Sequence, residues 1–167
     1  MPEKATIKRA NNKLRRGDRP STAAGEFVRE EMHHIRRGKH GARSPEQAIA
    51  IGLSKARRAG VPLRPPAKGK TSRRTRRSAG RAYKAGQAGS RRKPSRRRSA
   101  AISDVLRREP RRAASRGALS RHARRAARRR TAADRSRAAR HAVATKGTRG
   151  RRAAARKAAR TRKRNAR

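Results

Sequence analysis

Residues 44–60 read SPEQAIAIGLSKARRAG, and their punctuation predicts a helix more firmly than any other stretch of the chain. Ser44 suits the N-cap, Pro45 the first helical position, and Gln47 falls where a capping box needs its second member. Arg57, Arg58 and Gly60 supply the cationic last turn and the glycine stop. Ile49, Leu53 and Ala56 share one face, with Ile51 to the side.

A second helix precedes it in AAGEFVREEMHHIRRG. Ala24, Phe27, Val28, Met32 and Ile35 recur at three and four and draw one apolar stripe that ends near Gly38. Glu26, Glu30 and Glu31 in the first half and Arg36 and Arg37 in the last turn match the helix dipole. Helices this short are marginal alone in water, so the two stripes are expected to pack as a hairpin across GKHGAR, with Phe27, Val28, Met32, Ile35, Ile49 and Leu53 as its core. Six large side chains make a thin core, which leaves open a homodimer through the hairpin or completion by DNA.

Composition limits everything beyond that hairpin. Val, Ile, Leu and Phe total 15 of 167 residues, so the 31% apolar content is mostly alanine and a single large core is not expected. Lys and Arg number 55 against 9 acids, a formal +46 that repels itself until a polyanion neutralises it. Zero cysteines exclude disulfides and thiolate metal sites. No apolar run reaches the roughly 18 residues of a membrane span, and the start carries no secretory signal pattern, which together predict a cytoplasmic protein.

The charge is uneven. Residues 1–60 hold 15 basic and 6 acidic residues, net +9, while 61–167 hold 40 and 3, net +37. Four segments follow: a flexible basic N-terminus at 1–20, a helix-turn-helix hairpin at 21–60, a disordered Pro/Gly/Ser/Arg linker at 61–98, and a basic Ala/Arg-rich tail at 99–167. The predicted fold class is mostly α plus disorder. Pro62, Pro65 and Pro66 mark the hinge after the hairpin. In the tail, SAAISDVLRRE presents Ile102, Val105 and Leu106 as a short amphipathic helix stopping at Pro110, and Gly147 and Gly150 interrupt the Ala-Ala and Arg-pair repeats. Alanine and arginine both favour helix, so the obstacle there is arginine repulsion, which phosphates would remove; these blocks are expected to become helical on binding.

The basic clusters are the candidate nucleic-acid contacts. They comprise Arg73, Arg74, Arg76 and Arg77; then Arg91, Arg92, Lys93, Arg96, Arg97 and Arg98. Farther on come Arg124, Arg125, Arg128, Arg129 and Arg130, and finally Arg151, Arg152, Arg156, Lys157, Arg160, Arg162, Lys163 and Arg164. If most of the +37 engaged phosphates, it would neutralise roughly 60 Å of B-DNA, about 18 base pairs. Arg outnumbers Lys 43 to 12, which suits bidentate phosphate contacts and minor-groove insertion. One Phe and one Tyr leave almost nothing to stack single-stranded bases, which favours duplex over single-strand binding.

Other motifs carry less. His33, His34 and His40 cluster in sequence, but the adjacent pair points to different sides of a helix and no cysteine joins them, so surface histidines are expected and no metal, cofactor or catalytic residue is assigned. GKT at 69–71 resembles a phosphate loop, yet its upstream glycine position is Arg64. GKHG at 38–41 has the spacing of a KH-type loop without strands around it and reads as an interhelical turn. Ser78, Ser95, Ser99 and Ser115 follow arginines, where phosphorylation would subtract charge. No apolar face accompanies the polybasic segments to bury in a lipid interface.

The segment EFVREEMHHIRRGKHGARSPEQAIAIGLSKARRAG resembles a family of small, basic, uncharacterised bacterial proteins. They share a motif like V-M-x-E-F-K-x-G-x-L…S-x-x-Q-A-I-A-I-[AG]-L-S-x-A-R-x-A-G, often followed by Lys/Arg/Ala-rich tails. Gln47, Ala48, Ile49, Ala50, Ile51, Leu53, Ser54, Ala56, Arg57 and Gly60 match it closely, and over 26–41 the match is looser. The tail is similar in composition to bacterial histone H1-like proteins, with Arg in place of Lys. That resemblance implies DNA binding without sequence preference.

The expected function is therefore a histone H1-like, nucleoid-associated, non-enzymatic protein that neutralises and condenses double-stranded DNA. RNA or ribosome binding is the alternative on the same electrostatics. A protein-interaction hairpin with a polybasic localising tail is a third.

Overall fold

A computed structural model describes residues 2–89 and 95–166, and every regular element among them is helical. The helices are α1 (Lys4–Arg15), α2 (Pro20–Arg36), α3 (Pro45–Arg58), α4 (Arg73–Gln87), α5 (Arg96–Arg108), α6 (Arg116–Arg128) and α7 (Ala132–Asn165), with a 3-10 turn at Arg111–Ala114. The chain divides into two compact units, Met1–His122 and Ala123–Arg167.

The local signals around α3 act where the sequence places them, with one shift. Ser44 Oγ accepts from the Gln47 amide at 3.3 Å, whereas Gln47 Oε1 reaches past the N-cap to accept from the Arg43 amide at 2.8 Å. Helix α2 begins with Pro20 in its first turn and stops before Gly38, whose φ of 75° suits a residue without Cβ.

Helices α2 and α3 pack closely because Gly52 removes the side chain at their crossing. A Cβ there would lie 2.7 Å from Val28 Cα. Their interface splits into two apolar clusters instead of one stripe. Phe27, Ala23, Ala24, Ala56 and Val61 form the first with partly buried Leu53; Met32, Ile35, Ala42, Ala48, Ala113 and Ala114 form the second, with Val28, Ile49 and Leu119 against it.

Other segments pack around this pair of helices, and three of them depart from the sequence expectation. The N-terminus, expected to be flexible, carries α1, whose Ile7, Ala10 and Leu14 at helical spacing pack on α2. Val61 and Leu63, placed in the expected hinge, fold back onto the first cluster, and Arg57 Nε donates to the Leu63 carbonyl at 3.1 Å. The expected disordered linker carries α4, docked on α3 through Ala79 and Ala82. Beyond it, the Gly41 amide donates to the Leu106 carbonyl and the Ala42 amide to the Pro110 carbonyl, which pins residues 106–114 over the α2–α3 loop. A Cβ at Gly41 would overlap the Glu109 carbonyl at 1.7 Å, so the glycine serves this approach.

Alanine makes this possible. Among the described residues, ten of the fourteen buried apolar side chains are alanines. Each buries little area, but small faces bring backbones close and multiply dispersion contacts. The apolar residues of α5 run the other way: Ile102 and Val105 are 61% and 58% exposed, so its expected stripe faces solvent.

The glutamates of α2 are buried, beyond what the helix dipole requires. Glu26 accepts from Arg9 Nε at 2.9 Å and pairs with Lys13 Nζ at 2.8 Å, both on α1. These cations, Lys13 foremost, hold the Glu26 carboxyl below the usual carboxylate range. Glu31 is fully buried and pairs with Lys55 of α3. The acids thus cross-link α1, α2 and α3.

In the second unit, α7 opens with a capping box: Thr131 Oγ1 accepts from the Asp134 amide at 3.1 Å and the Asp134 carboxylate accepts from the Thr131 amide at 3.4 Å. The helix breaks at Gly147, with φ 60° and ψ −175°, the position where the sequence has the first of two glycine interruptions. Among the described residues no helix is long and apolar enough to cross a membrane.

Candidate nucleic-acid interface

Helix α4 is positioned by one face and charged on the other. Its Ser72 N-cap accepts from the Thr75 amide at 3.2 Å, and at its far end Gln87 Nε2 donates to the Gly60 carbonyl at 3.1 Å. Between them, Ala79, Ala82 and Gly86 face α3, and a Cβ on Gly86 would fall 1.8 Å from the Arg57 carbonyl oxygen. At 100° per residue, Arg73, Arg74, Arg77, Arg81 and Lys84 then occupy about a third of the helix circumference on the opposite side. All five are exposed, as is Arg76. Their ridge runs about 16 Å along the axis at 1.5 Å per residue.

A second basic concentration surrounds the 3-10 turn, where Arg36, Arg111, Arg112, Ser115 and Arg116 line an open depression. Arg36 is anchored there by its Nε donating to the Ala114 carbonyl at 2.9 Å. Ser115 caps the start of α6, its Oγ accepting from the Ala118 amide at 3.2 Å. Of these, the sequence pointed to Arg36 for the helix dipole and to Ser115 as a phosphorylation candidate, and to neither as part of one basic surface. The fold places residues 75 positions or more downstream beside Arg36.

On α5, Arg96, Arg97 and Arg98 are exposed. Arg91, Arg92 and Lys93 lie outside the described residues. Arg124, Arg125 and Arg128 on α6, Arg129 and Arg130 after it, and Arg151, Arg152, Arg156, Lys157, Arg160, Arg162, Lys163 and Arg164 on α7 are exposed without exception. The eight on α7 spread over about two thirds of its circumference, leaving a narrow face of Gly150, Ala154, Ala158 and Thr161. This half of α7 therefore behaves as a cationic rod with no side reserved for a core.

Carboxylates to neutralise these cations are nearly absent from the second unit. Residues 123–167 contain 19 basic residues and one acid, Asp134. Thr131 and the Arg137 guanidinium engage Asp134 and lower its pKa. Arginines exposed in such excess concentrate anions along the helix and release counterions when phosphates replace them.

The histidines differ from the surface expectation. His33 is exposed, but His34 is buried and His40 half-buried, and both approach the carboxylate of Glu31.

No protein-family model, curated protein or solved structure matches the chain.

Proposed function

We propose that this protein binds double-stranded DNA without sequence preference and condenses it in the nucleoid, in the manner of histone H1-like proteins. The observation that carries the reading is the division of labour on α4: small residues dock one face on a folded unit, and five cations stand in a row on the other. A ridge ordered before binding forfeits less entropy when it meets a phosphate backbone than a coil does. The rod of α7 extends the same chemistry, with affinity set by phosphate count and not by base contacts.

The test is a salt titration of the full chain on mixed-sequence duplex DNA, compared with a variant in which the eight named cations of α7 are replaced by Gln. Binding should fall steeply with salt, and the slope of log K against log salt should flatten by up to about 7 in the variant. Duplexes of different sequence should bind alike. Equal affinity for structured RNA at matched salt would remove the preference for DNA. An unchanged slope would remove α7 from the interface.

A further inference from the structure

Glu31 is the most deeply buried acid of the chain, and only one of its oxygens is satisfied. Oε1 is paired with Lys55 Nζ; Oε2 is buried without a hydrogen-bond donor among the described residues. An unsatisfied buried carboxylate oxygen is costly, more so than a neutral acceptor.

Two imidazoles face this carboxylate, and their tautomers are fixed from behind. His34 Nε2 lies 3.0 Å from Glu3 Oε1, a carboxylate that can only accept, so Nε2 carries the hydrogen. His40 Nδ1 lies 3.0 Å from the Gly41 carbonyl, so Nδ1 carries the hydrogen there. The neutral rings therefore turn lone pairs inward: His34 Nδ1 is 3.6 Å from Glu31 Oε1, and His40 Nε2 is 3.5 Å from Glu31 Oε2. Three lone-pair donors, two of them on buried residues and one on half-buried His40, meet within 4.8 Å of one another.

We infer that Glu31, His34 and His40 form a binding site for a divalent transition-metal cation of the zinc class. A tetrahedral ion with bonds of 2.0–2.1 Å separates its ligands by about 3.3 Å; His40 Nε2 and Glu31 Oε2 are 3.5 Å apart, and one donor atom from each of the three residues lies within 4.8 Å of the others. Glu31 ligates through Oε2 and keeps Lys55 on Oε1. In the tautomers that these hydrogen bonds select, His34 Nδ1 and His40 Nε2 are the lone-pair atoms on the Glu31 side. The hydrogen bonds of the far ring nitrogens to Glu3 and Gly41 are the outer support such ligands carry. The local charge agrees: Glu3, Glu30 and Glu31 surround the rings against Lys39 on Glu3 and Lys55 on Glu31, an excess of one negative charge with neutral imidazoles. Two nitrogens and one oxygen select zinc over magnesium or calcium.

The site also joins separate parts of unit 1. Glu31 and His34 stand on α2, and His40 belongs to the loop pinned by residues 106–110. A bound ion would tie that loop to the helix and stabilise the folded unit by mass action.

The experiment uses the full chain stripped with chelator. Zinc is titrated in competition with a chromophoric chelator, and cobalt is added separately to read the visible spectrum of a four-coordinate site. Expected are one zinc per chain, a rise in melting temperature with zinc, and affinity weakened about tenfold or more in His40→Ala. His40→Gln, closer in size, should behave alike, and His33→Ala, one residue from His34 but exposed, should bind as the parent does. Failure to bind zinc near one equivalent overturns the inference. So does binding that survives both His40 variants. The remaining outcome, histidine NMR showing His40 as an imidazolium paired with Glu31 in the chelated chain and unmoved by zinc, assigns the missing positive charge to a proton and also overturns it.

Discussion

Gly52 on α3 lies against the backbone of Val28 on α2, with a Cβ at position 52 placed 2.7 Å from Val28 Cα and 2.9 Å from its nitrogen. Backbone cannot yield as a flexible side-chain tip does, so Gly52→Ala must separate the two helices. The expected loss is about 1–3 kcal/mol, the range for overpacking a close contact. Urea unfolding followed by circular dichroism measures it. A variant as stable as the parent would mean that the crossing is looser than described.

Gly86→Ala should undock α4. Its Cβ would overlap the Arg57 carbonyl, and the Gln87 to Gly60 hydrogen bond lies one residue on. Hydrogen exchange should then accelerate at amides 79–86 while α2 amides keep their protection. Duplex affinity should fall with it, because the cationic ridge loses its fixed position.

Glu26 makes acid unfolding traceable to one carboxylate. Lys13 first, then Arg9, lower its folded pKa below the reference 4.5. A depressed carboxylate contributes stability above its unfolded pKa and loses it as pH falls through the folded value. Glu26→Gln should therefore unfold at lower urea than the parent at pH 7, and the gap should narrow below pH 4.5. A gap constant across that range would assign the effect to packing instead of charge.

Gly147→Ala should straighten α7. A φ of 60° with ψ near 180° is a region open to glycine almost alone, and alanine favours the helical alternative. Helicity at 222 nm should rise, and spin labels at 140 and 156 should move apart toward about 24 Å, the axial distance of a continuous helix.

Much of this fold was legible where signals act over a few residues. The Ser44 cap, the glycine after α2, the halt of α5 before Pro110 and the break at Gly147 depend on hydrogen bonds and dihedrals that neighbours alone decide. The spread of arginine over exposed surfaces was legible too, since a chain with 55 basic and 9 acidic residues has few partners to bury them with. The docking of α1 and α4 was not. Ile7, Ala10 and Leu14 do follow a helical stripe, and Ala79, Ala82 and Gly86 another, yet counts of large apolar residues give small ones no weight. Their contribution is close approach, and that depends on the surface opposite.

The sequence alone determined α2 and α3, the helix ends that caps, glycines and Pro110 set, and the cationic character of the exposed sides, because propensity, capping and net charge are properties of residues and near neighbours. Only the tertiary structure decided which charges are buried and which meet. Glu26, Glu30 and Glu31 became interior because cations from α1 and α3, His40 from the α2–α3 loop and the Glu3 amide arrive beside them. Residues 106–114 close over Ala42 because Gly41 admits a foreign backbone. Burial and pairing are relations between distant segments, and their free energy exists only once those segments share one place.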